Sequence, residues 1–87
     1  MKYVIDGAAM PTPREAHEAI AAAMGFPDYY GKNLDALWDM LTSIEGDVVI
    51  CNVSYMLNAL GVYGCKLLQV FYEAAAENRR LHFAAEK

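Results

Sequence analysis

The chain has 87 residues and a formal net charge of −4 at pH 7, and 56% of its residues are hydrophobic. This length and apolar content predict a single folded domain over residues 1–87 with one modest core, and argue against a disordered tail. The acidic balance, with an isoelectric point near 4.9, disfavours nucleic acid as a direct partner, because phosphate binding needs clustered Lys and Arg. It favours a basic partner.

The sequence predicts neither a membrane span nor a signal peptide. No apolar run approaches the roughly 18 residues that a transmembrane helix needs. The first seven residues lack the long apolar stretch of a secretory signal. We therefore expect a cytoplasmic protein that does not bind membranes. We also expect it to be a monomer when free.

The cysteine and histidine content predicts no metal site or cofactor. Cys51 and Cys65 are the only cysteines, and in a cytoplasmic protein we expect them to be reduced and to serve as small apolar side chains, although a disulfide between them stays possible. A zinc site needs about four ligands at short spacings. Two isolated cysteines with the distant His17 and His82 do not supply them.

The first part of the chain predicts a strand followed by a helix. Residues 2–5 form a short apolar run that Asp6 and Gly7 close, which is typical of a strand ending in a turn. Thr12 stands at a helix N-cap with Pro13 at the first helical position, and the helix is expected to run to Met24. The residues predicted to face inward are Ala16, Ile20, Ala23 and Met24. His17 lies beside this stripe, and we expect it to be a packing residue with satisfied hydrogen bonds.

Residues 27–43 predict a tight turn and a short amphipathic helix. Pro27 and Gly31 bracket two tyrosines, which is turn punctuation. Asn33 then occupies the N-cap position of a helix. The residues expected on the core-facing stripe of this helix are Leu34, Leu37, Trp38 and Leu41.

A second face of the same helix carries Asp35, Asp39 and Thr42, at spacings of four and three. Asp35 lies in the first turn, where the helix dipole favours an anion, but Asp is a poor residue at the interior position of Asp39. Like charges four residues apart also repel by about 0.2–0.5 kcal/mol. The nearby cation, Lys32, lies outside the helix. The pattern has two interpretations: a solvated polar face, or a site for an Arg or Lys of a partner.

The second half of the chain predicts two further helices and two further strands. Residues 48–51 form an unbroken apolar run, typical of a strand buried on both faces. Residues 54–60 predict a short helix or turn, residues 63–78 a long helix, and residues 81–85 a final strand. The residues expected to face inward on the long helix are Leu67, Val70, Phe71, Ala74 and Ala75. Strands separated by helical connections imply parallel pairing, so the fold class is α/β, a three-stranded parallel sheet with about four helices.

The run PDYYGKNLDALWDMLT at residues 27–42 resembles the signature of the barstar family, intracellular inhibitors of barnase-type ribonucleases. Nearly every position fits, including both tyrosines, Asn33, both aspartates and Trp38. Residues 69–74 are similar to part of the family's last helix, and residues 3–7 also fit. The resemblance implies the strand order 1-2-3.

The resemblance also implies roles for individual residues. Asp39 would be the main anchor in the position of an RNA phosphate, Asp35 would bind neighbouring cationic or amide groups, and Tyr29 would pack beside the catalytic histidine of the ribonuclease. Glu73 would add a peripheral charge. The other residues expected at the contact are Gly31, Asn33, Leu34, Trp38 and Thr42, with Ser43 at its edge. Tyr29 and Trp38 also have structural interpretations, packing in the turn and in the core respectively.

Three departures from the family pattern bear on the choice of partner. Ser43 and Ile44 stand where barstar itself has glycine and tryptophan. The segment at 52–64 is shorter and dissimilar, and residues 84–87 lack the expected aliphatic side chains. These differences concern the cognate nuclease rather than the fold.

We weigh three classes of function. The preferred one is an inhibitor whose acidic helix blocks the cleft of a basic, barnase-like extracellular-type ribonuclease. The alternative is an immunity or interaction module for a different nuclease toxin or regulatory partner. An enzyme using Asp35 and Asp39 as an acid–base pair would need a dry cleft around them, and none is expected on an exposed helix, so we predict no enzymatic activity.

Overall fold

A computed structural model describes the whole chain from Met1 to Lys87. Its elements follow in the order β1 (Lys2–Asp6), a 3-10 turn (Gly7–Ala9), α1 (Pro13–Met24), α2 (Leu34–Leu41), β2 (Gly46–Cys51), α3 (Val53–Leu60), α4 (Val62–Glu77) and β3 (Leu81–Ala85). None of these helices is long and apolar enough to cross a bilayer.

The three strands form one parallel sheet in the order β1-β2-β3, with β2 in the centre. Ile5 of β1 pairs with Ile50 of β2, and Ile50 pairs with Ala85 of β3. One row earlier, Tyr3 pairs with Val48, which pairs with Phe83. The predicted α/β fold, with three parallel strands in this order and four helices, is confirmed.

The core lies between one face of the sheet and the helices. A single cluster of 15 buried apolar residues joins them. The predicted inward positions of Ile20, Leu37, Leu41, Leu67 and Phe71 are confirmed, since none of these side chains is exposed. Burial of each such side chain contributes about 1.5–3 kcal/mol relative to an exposed position.

The prediction that β2 is buried on both faces is wrong. Burial alternates along β2, where Val48 and Ile50 are buried and Val49 is only half-buried. Its neighbour on the outer face, Val4 of β1, is 58% exposed. The reason is topological: two right-handed crossovers that advance in the same direction along a sheet place their helices on the same face. The outer face therefore stays open.

The predicted element boundaries are close to those observed, and the largest difference is at the start of β2. Gly46, read from the sequence as part of a break, is the first residue of the strand and pairs with Leu81. Its φ is +137°, and a Cβ at this position would lie 2.6 Å from the carbonyl oxygen of Met1. Glycine is thus required here because the backbone of Met1 approaches the start of the central strand closely.

Candidate functional site

Helix α2 is fixed at its start by Asn33, the predicted N-cap. The side-chain oxygen of Asn33 accepts a hydrogen bond from the backbone N–H of Ala36 at 2.8 Å, and its side-chain nitrogen donates to the carbonyl of Gly31 at 3.1 Å. The turn before it is closed by the N–H of Tyr30, which donates to the carbonyl of Pro27 at 3.0 Å. Asn33 therefore joins the first turn of α2 to residues 27–32, which we call the tyrosine turn.

The end of α2 is held by side chains that donate to its last carbonyls. The hydroxyl of Thr42 donates to the carbonyl of Trp38 at 2.8 Å, and the hydroxyl of Ser43 donates to that of Asp39 at 3.0 Å. The carbonyl of Trp38 also accepts from the backbone N–H of Thr42 at 3.0 Å, whereas the hydroxyl of Ser43 supplies a donor to a carbonyl in the last turn that the helix ladder leaves without one. The hydroxyl hydrogens of Thr42 and Ser43 are thus engaged within the chain, and their oxygens retain only acceptor capacity for another molecule.

The inner side of α2 anchors it to the core. Leu37 and Leu41 are fully buried, whereas Leu34 and Trp38 are half-buried and pack against the edge of the core. The predicted core-facing stripe is therefore confirmed for two residues in full and for two in part. The half-buried pair also presents apolar surface at the border of the outer face of the helix.

The outer face of α2 carries Asp35 and Asp39, both exposed, which we call the acidic face. Lys32, the cation expected nearby, lies 3.4 Å from the carboxylate of Glu18 on α1. The only other ion pair of the chain joins Arg14 to the same Glu18. Both carboxylates of the acidic face are therefore without a cation, and each can accept hydrogen bonds from a cationic donor outside the chain.

Two shallow grooves lie beside α2. The first groove is lined by Tyr29, Tyr30, Gly31, Ala36, Asp39 and Met40. The second groove is lined by Asn33, Leu34, Asp35 and Tyr63. Tyr29 is 87% exposed, so it lies against the first groove as a free side chain and does not pack into the turn.

The structure thus divides the predicted site residues into groups. Tyr29, Gly31 and Asp39 meet at the first groove, and the second groove brings together the three residues that open α2. Thr42 and Ser43 follow at the other end of the helix. Glu73 lies apart on α4, exposed, where it accepts a hydrogen bond from Gln69 at 3.1 Å.

Three residues that line the grooves were not predicted from the sequence: Ala36, Met40 and Tyr63. Ala36 and Met40 are four residues apart and border Asp39, so helical spacing alone could have placed them beside the acidic face. Tyr63 lies in the first turn of α4, and only the packing of α4 against α2 brings it to Asp35. No local pattern signals that contact.

Behind the grooves, His17 of α1 is buried with 1% of its surface exposed. Its Nδ1 lies 2.8 Å from the hydroxyl of Tyr30, and its Nε2 lies 2.7 Å from the hydroxyl of Tyr63. Burial lowers the pKa of His17 below its ordinary value. Burial likewise raises the pKa of both tyrosines, with a smaller contribution to Tyr30 from the charge of Tyr63. The expectation that His17 is a satisfied packing residue is confirmed.

The structure contains no cluster of side chains that could bind a metal ion. No three His, Cys, Asp or Glu residues come close enough together to hold an ion. Cys51 is half-buried and Cys65 is exposed, and both are free thiols.

The fold and the site define a small α/β protein whose helix α2 is held at both ends and presents two carboxylates that have no cation within the chain. The family described as Barstar (barnase inhibitor) matches residues 1–86. A protein of Bacillus subtilis (strain 168), named "Putative ribonuclease inhibitor YrdF", is 38% identical over 79 residues, an alignment that covers 87% of each chain. The chain belongs to the Barstar family, as the resemblance of residues 27–42 predicted.

Proposed function

We propose that this protein inhibits a barnase-type ribonuclease by placing the acidic face of α2 in the cleft that binds RNA. The observation that carries the proposal is the pair of exposed carboxylates, Asp35 and Asp39, which have no cation on a helix held at both ends. Membership of the Barstar family and the name of the Bacillus subtilis relative support the same role.

The physical basis of the proposal is charge mimicry on a rigid helix. A ribonuclease cleft must present cationic groups to bind the phosphates of RNA. Carboxylates at matching positions accept hydrogen bonds from the same groups. Because caps and core contacts already order α2, little further conformational entropy is lost on binding. The net charge of −4 also accelerates encounter with a basic enzyme.

The two grooves support a separate binding role for each group of site residues. Asp39, which lines the first groove together with Tyr29 and Met40, would be the main anchor at a phosphate position. The exposed ring of Tyr29 would pack beside the catalytic histidine of the ribonuclease. Asp35 would bind cationic or amide groups at the second groove. The residues proposed to complete the contact are Gly31, Asn33, Leu34, Trp38, Thr42 and Ser43, with Glu73 as a peripheral charge. In this role the protein is an inhibitor, not an enzyme, and acts in the cytoplasm.

A second candidate is an immunity or interaction module for a different basic nuclease toxin or regulatory partner. The observation that favours it lies at the end of α2. Ser43, where barstar itself has glycine, turns its hydroxyl back to the carbonyl of Asp39, and Ile44 is half-buried beside it. These two positions change the edge of the contact surface while leaving the acidic face intact.

The test is a titration of a barnase-type ribonuclease with the wild-type protein, with Asp39→Ala, and with Asp47→Ala as a matched control on the open face of the sheet. We expect tight inhibition that weakens at higher salt, because screening acts on the charge pairs. Asp39→Ala should lose at least about 30-fold in affinity, the factor that corresponds to the roughly 2 kcal/mol of a hot spot.

The control variant Asp47→Ala should inhibit as the wild type does, because its carboxylate lies outside the proposed interface. Failure of the folded wild-type protein to inhibit would overturn the ribonuclease assignment and favour the second candidate. Equal affinity of Asp39→Ala and wild type would remove Asp39 as the anchor.

A further inference from the structure

The hydrogen bonds of His17 connect three elements that are distant in the sequence. Tyr30, from the tyrosine turn, lines the first groove, and Tyr63, from the first turn of α4, lines the second. The imidazole stands between their hydroxyls at 2.8 and 2.7 Å. One side chain on α1 therefore contacts a wall of each groove.

We propose that His17 is a positioning residue for the partner-binding surface: in its neutral form it fixes the tyrosine turn and the start of α4 relative to α2, and its protonation releases them. The consequence for ribonuclease binding rests on the function proposed above. The consequence for the tyrosine turn does not.

The bridge depends on the number of donors and acceptors that the imidazole and the two hydroxyls supply. A neutral imidazole has one N–H donor and one acceptor nitrogen. Both contacts are satisfied when one tyrosine hydroxyl donates to the ring and the other accepts from it. No other hydrogen bond joins either hydroxyl to the chain. In the neutral form both ring nitrogens and one of the two hydroxyl hydrogens are therefore paired, and only the hydrogen of the accepting hydroxyl is left for water.

Protonation changes that count. Both ring nitrogens of the imidazolium donate, so both hydroxyls must act as acceptors. The hydroxyl hydrogen that had pointed at the ring must then find a new acceptor. Tyr30 is only 7% exposed and packs against Phe26, with ring centroids 4.9 Å apart, so this cost is largest on its side of the bridge. A buried polar group without a partner is unfavourable.

No neighbouring charge compensates an imidazolium at this position. The titratable groups that face it are Tyr30 from the tyrosine turn and Tyr63 from α4. On α1 itself, Glu18 is engaged with Arg14 and Lys32. Asp35 of α2 lines the second groove with Tyr63 and makes neither a hydrogen bond nor an ion pair with His17. Because no carboxylate pairs with His17, its charged form is stabilised by opening the bridge to water.

The first experiment follows the tyrosine turn in the free protein by amide hydrogen exchange at pH 7.5 and 5.5, after correction for intrinsic rates. The probe is the N–H of Tyr30, which donates to Pro27. We expect its protection to fall at least tenfold at pH 5.5 in the wild type, while that of the core amide of Ile50 falls less. In His17→Gln the pH dependence of the Tyr30 amide should disappear.

Two further variants keep the experiment decisive. Tyr63→Phe retains the ring and removes one hydroxyl, so it should lower the protection of Tyr30 already at pH 7.5, even if His17→Gln fails to fold. His82→Gln alters the exposed histidine of β3 and should behave as the wild type does. Protection that is independent of pH in the wild type, or unchanged in Tyr63→Phe, would overturn the proposal.

The second experiment measures the dissociation constant for the ribonuclease at the same two pH values. The wild type and His82→Gln should weaken at pH 5.5 by about tenfold more than His17→Gln does, and comparison of variants cancels the titration of the enzyme. Binding with the same pH dependence in all three would overturn the role of His17 at the interface. Absence of binding at both pH values, with pH-dependent exchange of Tyr30 retained, would instead refute the proposed function.

Discussion

The side-chain amide of Asn78 donates a hydrogen bond to the backbone carbonyl of Leu41, the last residue of α2, at 3.0 Å. The same nitrogen donates to the carbonyl of Ile44. Asn78 is also the residue that ends α4. One amide thus ties the end of the acidic helix to the end of the long helix beside it.

We expect Asn78→Ala to lower the free energy of unfolding by about 1–3 kcal/mol, because two partly buried carbonyls lose their donor. Urea unfolding followed by the fluorescence of Trp38 measures the change. Asn58→Ala, at an exposed position of α3, is the matched control and should alter stability by less than about 0.5 kcal/mol. Equal effects of the two substitutions would show that the bonds to α2 contribute nothing.

Removal of the Asp39 carboxylate should stabilise the free protein. Asp39→Ala replaces a poor helix residue with the best one and relieves repulsion from Asp35, which together amount to about 0.5–1 kcal/mol. We expect the thermal midpoint of Asp39→Ala to rise by a few degrees, although its affinity for the ribonuclease is expected to fall. A lower midpoint would mean that Asp39 has a structural partner, and the weaker binding of the variant would then need another explanation.

The buried histidine predicts a loss of stability at acidic pH. The pKa of His17 is lower in the folded chain than its ordinary value of 6.5. Below about pH 6.5 the unfolded chain therefore binds a proton that the folded chain does not, so the free energy of unfolding decreases as the pH falls. The full contribution is present above this pH.

Urea unfolding between pH 8 and pH 5 checks this prediction. The slope of stability against pH below 6.5 should be smaller in His17→Gln than in the wild type. The matched substitution His82→Gln should leave the wild-type slope unchanged. The prediction would be contradicted if the stability of the wild type stayed constant or rose as the pH falls from 6.5 to 5. It would also be contradicted if the wild type and His17→Gln, which differ only at His17, had the same slope.

Gly7 should tolerate no side chain. A Cβ there would lie 2.6 Å from the carbonyl oxygen of Asn52 and 2.8 Å from that of Cys51. Because these are backbone atoms, the ends of β1 and β2 would have to separate, and we expect Gly7→Ala to cost about 1–3 kcal/mol. Gly25→Ala is the informative comparison, since that site has a positive φ and open space around it; its cost should be near 1 kcal/mol. Thermal unfolding of both variants measures which substitution destabilises the protein more, and we expect this to be Gly7→Ala.

The sequence predicted most of the fold because its local signals agree with one another. The caps at Thr12 and Asn33, the helical stripes through Ile20 and Leu37, and the alternation of strands with helices all require the same parallel α/β arrangement. Burial of β2 was predicted wrongly, because the apolar run containing Val49 fits a strand covered on one face as well as on two.

The candidate site was less accessible from the sequence. Helical spacing places Asp35 and Asp39 on one face, but whether Lys32 pairs with them depends on the position of Glu18 on another helix. The bridge from His17 to Tyr63 joins residues 46 positions apart. Such contacts follow from tertiary packing, so no local pattern could have predicted them.

The position of β2 between the first and last strands has a consequence for how the chain folds while it is being synthesised. The acidic helix leaves the ribosome early, yet β2 acquires its second neighbour only when β3 (Leu81–Ala85) has emerged, and Asn78 can hold α2 only after α4 has formed. Contacts between residues this far apart in the chain form late, because long loops must close first. A growing chain therefore carries its aspartates well before it can present them in a fixed geometry.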